Sequence, residues 1–226
     1  MRAPSFALVA LVLAGCAGSG STPEEVGYAG WYDAPIDRAD SSIKVGVNLD
    51  GTVDVLLKDG VAGVYTGSVP LVGNRFSAVC KGSDGQSIEV SGTLGGSGTS
   101  RMVSGSVTGE FSSHFLGAFT HPPQRSLFAA TYSGWFRGKI SGRLYGRVDD
   151  RGRFEGAWEQ EAGEIALRGT ASSNGFLRAS GTDAGRAIQL NGAIVATGGR
   201  ELVLDGIWSQ RDSSDNHSGE FRLLSQ

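Results

Sequence analysis

The sequence predicts an all-β protein of two tandem, duplicated units, each a meander of about eight short antiparallel strands closing into a small barrel. Three observations predict this fold class. Glycine accounts for 36 of the 226 residues and proline for 6, and the glycines separate short apolar runs as turns separate strands. Several of these runs alternate apolar and polar residues, which is the period of a half-buried strand. The motifs of the first half return in the same order in the second half, which indicates an internal repeat.

The repeat rests on an ordered series of matches. YAGWY at 28–32 matches YSGWF at 132–136, which places Trp31 and Trp135 at equivalent positions at the entry of each unit. The other matches pair SIEVSGTL at 87–94 with AIQLNGAI at 187–194, Asn74 with Asn174, Phe76 with Phe176, and SSHFLGAF at 112–119 with SDNHSGEF at 214–221. The alternative architecture is one sandwich or one barrel fused from both units.

Each unit is predicted to hold eight strands. In the first unit they cover residues 28–32, 41–49, 52–58, 61–68, 75–81, 87–95, 100–109 and 114–120. In the second unit they cover residues 132–137, 139–148, 153–160, 164–171, 175–182, 186–196, 201–209 and 218–224. Closure into a barrel removes exposed sheet edges, and an eight-stranded interior is either filled by side chains or holds one small ligand.

Two hairpins allow a prediction of register. In the first unit, a three-residue loop places Leu49 opposite Val53, so that apolar residues face one another across the strands. In the second unit, two registers are open, and Arg143 lies opposite Glu159 in one and opposite Glu161 in the other. Because Arg143 meets a glutamate in both, the basic row on this strand is predicted to be a cross-strand charge ladder, not a docking patch.

The chain divides into five predicted segments. They are a signal peptide at 1–15, a lipidated tether at 16–26, a first β unit at 27–120, a connector at 121–131 and a second β unit at 132–226. The tether and the connector are placed where polar, proline-containing stretches occur, STPEEV and THPPQRS. Such composition is typical of domain boundaries.

The N-terminal sequence predicts the cellular location of the protein. Arg2 precedes the apolar run FALVALVLA, which has the length of a signal peptide and is shorter than the roughly 20 residues of a transmembrane helix. Leu13-Ala14-Gly15-Cys16 then resembles the lipobox of bacterial lipoproteins. The resemblance implies cleavage before Cys16 and acyl chains on its thiol and amine. The alternative is an ordinary secretory signal with a chance cysteine.

The lipobox implies firm membrane attachment, because each buried methylene contributes about 0.8 kcal/mol and a lipidated cysteine carries two or three acyl chains. Ala17, not Asp, follows the cysteine, which in enterobacteria-like sorting implies the outer membrane. The predicted location is therefore an outer-membrane lipoprotein, on the periplasmic face or the cell surface. The expected partners are the membrane, through the lipid anchor, and an unknown protein or small apolar ligand.

Charge and cysteine content narrow the function further. The predicted mature chain has a mild negative charge, since the whole chain carries 23 acidic and 20 basic residues and the signal peptide removes Arg2. A nucleic-acid surface would be clearly basic, so no nucleic-acid partner is expected. Cys80 has no intramolecular partner once Cys16 is lipidated, which leaves burial in a strand or a bridge between chains. Burial is favoured, because RFSAVCK has strand alternation.

The sequence nominates no catalytic residue and no metal ligand. The three histidines, His114, His121 and His217, lack the spacing of a zinc site, and no nucleophile elbow, phosphate-binding loop or dinucleotide fingerprint occurs. Asn48, Asp50 and Asp54 surround a turn in an arrangement that oxygen-bound calcium would accept, but such residues also favour turns by themselves. We expect no cofactor other than the covalent acyl lipid on Cys16.

The tryptophans are the remaining candidates for a ligand site. Trp31, Trp135, Trp158 and Trp208 are predicted either to line a ligand at a barrel mouth or to pack in the cores. The predicted function is a non-enzymatic binding module for a protein partner or a small apolar ligand. The alternatives are a structural or assembly lipoprotein of the outer membrane and an enzyme with an unrecognised site. The two-unit plan resembles surface lipoproteins of the transferrin-binding-protein type and lysozyme-inhibiting lipoprotein barrels, in architecture alone.

Overall fold

The computed structural model contains two closed eight-stranded antiparallel barrels in tandem, as the sequence predicted. It describes residues 27–60, 63–161, 163–183, 185–196, 201–211 and 216–226. Neighbouring strands are joined in chain order, and the last strand of each barrel pairs with the first. Two short 3-10 helices, Gly98–Ser100 and Arg125–Phe128, lie between strands. Within the described ranges, no helix has the length and apolarity needed to cross a membrane.

Sixteen strands form the two barrels. Barrel 1 consists of β1 (Gly30–Pro35), β2 (Ser42–Val47), β3 (Thr52–Asp59), β4 (Gly63–Pro70), β5 (Arg75–Gly82), β6 (Ser87–Gly95), β7 (Met102–Thr108) and β8 (Ser113–His121). Barrel 2 consists of β9 (Ala130–Gly138), β10 (Gly142–Val148), β11 (Arg153–Gln160), β12 (Gly163–Ala171), β13 (Phe176–Asp183), β14 (Arg186–Ala196), β15 (Leu202–Arg211) and β16 (Asn216–Ser225).

The hairpin between β2 and β3 differs from the predicted one. Val47 pairs with Val53, so the register that placed Leu49 opposite Val53 is wrong. The turn is longer than predicted because the Asn48 N–H donates to the Thr52 carbonyl oxygen over 2.8 Å. Leu49 consequently lies on the exposed turn and adds nothing to the apolar face of the strand.

The hairpin between β10 and β11 has one of the two predicted registers. Arg143 pairs with Glu159 and Arg147 with Glu155, whereas the alternative pairing of Arg143 with Glu161 does not occur. The charged side chains of these two strands therefore face each other on the outside of barrel 2, as a charge ladder requires.

The interior of each barrel is filled by its own apolar side chains. The largest fully buried ones are aromatic, Tyr32 and Tyr65 in barrel 1 and Tyr132, Phe136, Phe154, Trp158, Trp208 and Phe221 in barrel 2. Rings occupy the space above inward-facing glycines: a Cβ added to Gly206 would lie 2.5 Å from the Phe221 ring. These glycines make room for phenylalanine rings, not for a ligand.

The same side-chain hydrogen bond occurs in both barrels and identifies equivalent positions. The Tyr32 hydroxyl donates to the Tyr28 carbonyl oxygen over 2.7 Å, and the Tyr132 hydroxyl donates to the Phe128 carbonyl oxygen over the same distance. Burial raises the pKa of Tyr32 to about 12. Tyr32 is thus the counterpart of Tyr132, and the predicted match between YAGWY and YSGWF is wrong by four residues.

Three further predicted matches fail for the same reason. Trp31 corresponds to Thr131, and Trp135 corresponds to Pro35, because Pro35 pairs with Ser42 as Trp135 pairs with Arg143. Phe76 pairs with Gly92 as Leu177 pairs with Gly192, so Phe76 corresponds to Leu177. The predicted matches of Phe76 with Phe176 and of Asn74 with Asn174 are therefore wrong. Phe115 corresponds to Phe221, since they pair with the equivalent glycines Gly105 and Gly206. The predicted match of 112–119 with 214–221 is therefore also wrong.

The two barrels pack on each other along one apolar contact, which we call the seam. The seam consists of outward-facing residues of β3 and β4 in barrel 1 and of β13, β14 and β15 in barrel 2, namely Leu56, Val64, Phe176, Ala193 and Ile207. Gly46 on β2 lets the barrels approach, because a Cβ at this position would lie 2.5 Å from the Phe176 ring.

Candidate functional site

Lys44 is a buried lysine that ties barrel 1 to barrel 2. Its Nζ donates to the Ile194 carbonyl oxygen over 2.5 Å. Three aromatic rings surround the same Nζ, with centroids at 4.3 Å for Trp31, 5.4 Å for Phe128 and 5.5 Å for Phe176. Lys44 points outward from β2, so its ammonium lies outside barrel 1 and against barrel 2.

Burial at the seam lowers the pKa of Lys44 from 10.5 to about 7, and the negative charge of Asp33 opposes this shift. A lysine in water keeps its proton far above neutral pH. At the seam a substantial fraction of Lys44 is therefore neutral near pH 7. The contact between the barrels is therefore expected to respond to pH in this range.

Hydrogen bonds also join the two barrels. Asn174, fully buried, donates from Nδ2 to the Val47 carbonyl oxygen over 2.7 Å and to Asn48 Oδ1 over 3.1 Å. The Ser218 hydroxyl donates to the Ser83 carbonyl oxygen over 2.8 Å. Each of these bonds joins a residue of barrel 1 to a residue of barrel 2, so together they hold the barrels in one relative orientation.

A concave space beside the seam, which we call the basic cleft, has a volume of about 500 Å³. Strands β1 to β3 of barrel 1 and β14 to β16 of barrel 2 form its walls. The lining residues that face outward from the barrels are Asp33, Pro35, Ser42, Lys44, Leu56, Lys58, Val195, Val203, Asp205 and Arg222. Apolar side chains and a few charged groups thus meet in one cleft, which is the usual composition of a small-molecule site.

The charges of the basic cleft centre on Asp205. Lys58 Nζ lies 3.1 Å from one oxygen of this carboxylate, and Arg222 Nε lies 3.7 Å from the other. The side chain of Asp205 is 12% exposed, whereas those of Lys58 and Arg222 are 36% and 41% exposed. The cationic groups therefore reach solvent while the carboxylate that they share is nearly covered.

A second concave space, of about 790 Å³, lies near the turns at Asn48 and Arg151. Three arginines line it, Arg125, Arg151 and Arg178, together with Asp50, Asp54 and Asp150. Arg178 forms an ion pair with Asp54. Opposite charges are balanced here and apolar side chains are few, so this space offers less to a small apolar or amphipathic ligand than the basic cleft does.

Trp135 lies on the outer wall of barrel 2, a sheet face that the seam leaves uncovered. Trp135, Tyr145 and Leu224 are each 40% exposed and stand on the adjacent strands β9, β10 and β16. Arg143 and Arg222 flank Trp135 in the same row. We call these five residues the aromatic wall. Exposed tryptophan, tyrosine and arginine are typical of protein interfaces.

The four tryptophans do not form one site. Trp158 and Trp208 lie inside barrel 2, where their ring centroids are 5.0 Å apart and Phe136 stacks on Trp158. Trp31 is buried at the seam beside Lys44, and Trp135 lies on the outer wall. Packing thus accounts for three of these side chains, and none of the three lines the basic cleft.

The two cysteines lie in different parts of the chain. Cys16, the predicted lipid attachment, lies outside the described residues. Cys80 is a free, fully buried thiol on β5, as predicted. Burial raises the pKa of the Cys80 thiol to about 12, which suppresses the thiolate and hence its reactivity.

Residues that the sequence analysis considered for metal binding are dispersed or already engaged. Asn48 Nδ2 donates to Asp54 Oδ2 over 2.7 Å, and Arg178 pairs with the other oxygen. A cation would have to compete with that arginine. His114 pairs across strands with Ser106, and His217 with Gln210. In the part of the chain that the structure describes, no three side chains of histidine, cysteine, aspartate or glutamate gather as metal ligands would.

The sequence analysis missed the residues of the seam and the basic cleft. One signal was available: Leu56 is apolar at an outward-facing position between Asp54 and Lys58, and Ile207 breaks the alternation of β15 in the same way. An apolar side chain on the outer face indicates that something covers it. The sequence alone does not say what, because the covering residues lie more than 100 positions away.

Comparison with known proteins adds no functional assignment. No protein-family model matches the chain, and no curated protein matches it. One similar solved structure, provisionally assigned as an outer membrane protein of Bacteroides fragilis, has a TM-score of 0.28 at 12% identity and covers 91% of this chain and 100% of that chain. Kievitone hydratase from Nectria haematococca has a TM-score of 0.29 at 10% identity and covers 91% and 90%. At these TM-scores neither likeness is informative about function.

Proposed function

We propose that this chain is a lipid-anchored, non-enzymatic binding protein of the bacterial outer membrane that holds a small molecule in the basic cleft. One observation carries the proposal. The barrel interiors are filled by their own side chains, whereas the basic cleft is a concave space of about 500 Å³ that combines apolar side chains with a few charges. Ligand sites in proteins of this size are concave, mostly apolar and carry a small number of placed polar groups.

The proposed ligand site differs from the barrel mouth that the sequence predicted. A small eight-stranded barrel has an interior that either side chains or one ligand can fill, and here Trp158, Trp208 and Phe221 fill it. Emptying that space would remove large buried rings, each of which contributes several kcal/mol to stability. Binding between the barrels requires no such loss, because the cleft is open to solvent.

The cleft is tested by filling it. Val195 lies at its wall and is half-buried, so Val195→Trp is expected to block the space with little effect on either core. Native mass spectrometry of the chain from Gly27 onward, exported to the periplasm and purified without detergent, is expected to show a captured mass of a few hundred daltons. The Val195→Trp variant should lose that mass. A captured mass that survives in the variant would exclude the basic cleft.

The membrane anchor is supported by the resemblance of residues 13–16 to a lipobox. Cys16→Ser is expected to prevent incorporation of labelled palmitate and to remove the protein from the outer-membrane fraction. Cys80→Ser is the matched control, because that thiol is buried in barrel 1. Palmitate labelling of the Cys16→Ser protein would show that the acyl chain is attached elsewhere and would refute the lipobox assignment.

A second candidate function is the docking of another envelope protein on the aromatic wall. The exposure of Trp135, Tyr145 and Leu224 on adjacent strands favours it. Arg143 and Arg222 would pair with carboxylates of an acidic partner around the tryptophan, since arginine binds carboxylates in bidentate fashion. A photo-crosslinking residue at Trp135 should capture a discrete protein on intact cells, and one at Arg168, on the opposite side of the wall, should not.

A further inference from the structure

We infer that the ligand of the basic cleft is an amphipathic anion, a hydrocarbon body that carries one carboxylate or phosphate group. This inference rests on the proposed function, since it names the class of small molecule that the cleft holds. It comes from the arrangement of charge and apolar surface along the cleft.

The acidic group would bind at Lys58 and Arg222. These two cations share one carboxylate, that of Asp205, at 3.1 Å and 3.7 Å. A lysine has three N–H donors and an arginine five, so both retain donors after they contact Asp205. Their side chains are more than one third exposed, whereas Asp205 is nearly covered. At this end of the cleft an incoming anion therefore meets two partly satisfied cations, and an incoming cation meets a carboxylate that is already engaged.

The hydrocarbon body would lie along the apolar side chains of the two facing walls. Pro35 and Leu56 supply them from barrel 1, and Val195 and Val203 from barrel 2. Val203 pairs with Leu224 across strands, so the apolar surface continues out of the cleft. Burial of apolar area contributes about 25 cal/mol per Å², which makes chain length the main source of affinity.

Asp33 gives the cleft a direction. It stands on β1, two strands from Lys58 on β3, and adjacent strands are about 4.8 Å apart. A negative charge at this end repels an acidic group there. The acidic end of the ligand is therefore placed at β3 and β16, and the hydrocarbon is placed towards β1 and β14.

The test compares three ten-carbon probes, decanoate, decanol and decyltrimethylammonium, by calorimetric titration of the soluble chain that begins at Gly27 and contains both barrels. Decanoate is expected to bind at least about tenfold more tightly than decanol, since a charge-assisted contact is worth about one factor of ten or more. Decyltrimethylammonium should bind more weakly than decanol. Added salt should narrow the difference between decanoate and decanol, because the cations are partly exposed.

Two variants separate the inference from the proposed function. Lys58→Met should reduce the preference for decanoate over decanol, because only Arg222 then remains for the acidic group, and Lys81→Met, on β5 outside the basic cleft, should not change this preference. Val195→Trp should abolish binding of all probes. Thermal unfolding of each variant checks that the barrels are intact.

The outcomes are distinct. Decanol binding as tightly as decanoate, or the cationic probe binding best, would overturn the inference and leave the cleft as a ligand site. Probe binding that Val195→Trp does not disturb, or no saturable binding of any probe up to about 1 mM, would overturn the proposed function itself. A preference for decanoate that is reduced in Lys58→Met supports both.

Discussion

Lys44 predicts a pH-dependent stability that a single substitution should remove. Its pKa is about 7 in the folded chain and 10.5 when exposed. Between these values the unfolded chain holds a proton that the folded chain has released, so the free energy of unfolding rises with pH. Each unit of pH in this interval contributes at most about 1.4 kcal/mol. Because half of the folded molecules are still protonated at pH 7, the expected gain from pH 7 to pH 9 is about 2 kcal/mol.

The assay is urea unfolding of the chain from Gly27 onward at several pH values, for the native sequence and for Lys44→Met. Methionine keeps an unbranched side chain at the seam and removes the ammonium. Its stability curve should lie closest to that of the native chain at pH 9 and above it at pH 7. The difference between the two curves isolates Lys44, since Cys80 and the buried tyrosines, whose raised pKa values reduce stability in alkali, are common to both.

Lys58→Met is the matched control, because Lys58 belongs to the same barrel but its ammonium is partly exposed. It should retain the native slope against pH. Parallel curves for the native chain and Lys44→Met between pH 7 and pH 9 would refute the reasoning, and would mean that Lys44 keeps its proton or is solvated in the folded protein.

Three other predictions address the cores and the surface. Gly206→Ala should lower the free energy of unfolding by about 1–3 kcal/mol, because the new methyl group would lie 2.5 Å from the Phe221 ring, whereas Gly95→Ala, with nothing within 4 Å, should be nearly neutral in the same urea titration. The Cys80 thiol should not react with a thiol-specific reagent at pH 8 until the chain unfolds, and fast labelling of the folded protein would contradict its burial. Trp135→Ala should lower the free energy of unfolding by less than the about 3–5 kcal/mol that removal of a buried tryptophan costs, because the ring is 40% exposed, and a loss of that size would show that the aromatic wall is part of a core.

The strands could be predicted because their signal is local. Alternation along Ile43, Val45 and Val47 states which face is buried, and the structure buries all three. For β10 against β11 the sequence left two registers, both of which placed Arg143 opposite a glutamate, and the structure has the one with Glu159. Each of these inferences needs only neighbours in one hairpin.

The equivalence of residues between the units could not be predicted in the same way. Trp31 and Trp135 occur in similar short motifs, but equivalence between the barrels is set by the hydrogen-bond registers. The registers match Trp31 with Thr131. Phe176 was assigned a counterpart in the core of barrel 1, Phe76, although its side chain lies at the seam. A residue that faces another barrel and one that faces its own interior are equally apolar, so composition does not separate them.

The basic cleft could not be predicted from the sequence for a related reason. Lys58 and Asp205 form an ion pair over 147 positions of sequence, and Lys44 reaches Ile194 over 150. Outward-facing residues obey no alternation rule that names their partners. Only the packing of one barrel on the other brings these groups together.

The registers also relate the aromatic wall to the seam. Lys44 pairs with Asp33 as Tyr145 pairs with Ser133. Tyr145 of barrel 2 is therefore the counterpart of Lys44, the lysine that donates from barrel 1 to Ile194 of barrel 2. β10 is therefore the counterpart of β2, whereas the counterparts of the seam strands β3 and β4 are β11 and β12, which do not carry the aromatic wall.

A second copy of the chain does not offer barrel 2 an apolar surface like the one on which barrel 1 docks. The seam surface of barrel 2 is apolar at Phe176, Ala193 and Ile207. Its counterpart on barrel 1 carries Arg75, Thr93 and Ser106, because Arg75 pairs with Thr93 as Phe176 pairs with Ala193, and Ser91 pairs with Ser106 as Asn191 pairs with Ile207. A head-to-tail repeat of the seam would bury these polar groups against β10 to β12 of barrel 2, at the cost that unpaired polar groups incur. A second copy therefore lacks the apolar surface that a repeat of the seam would need.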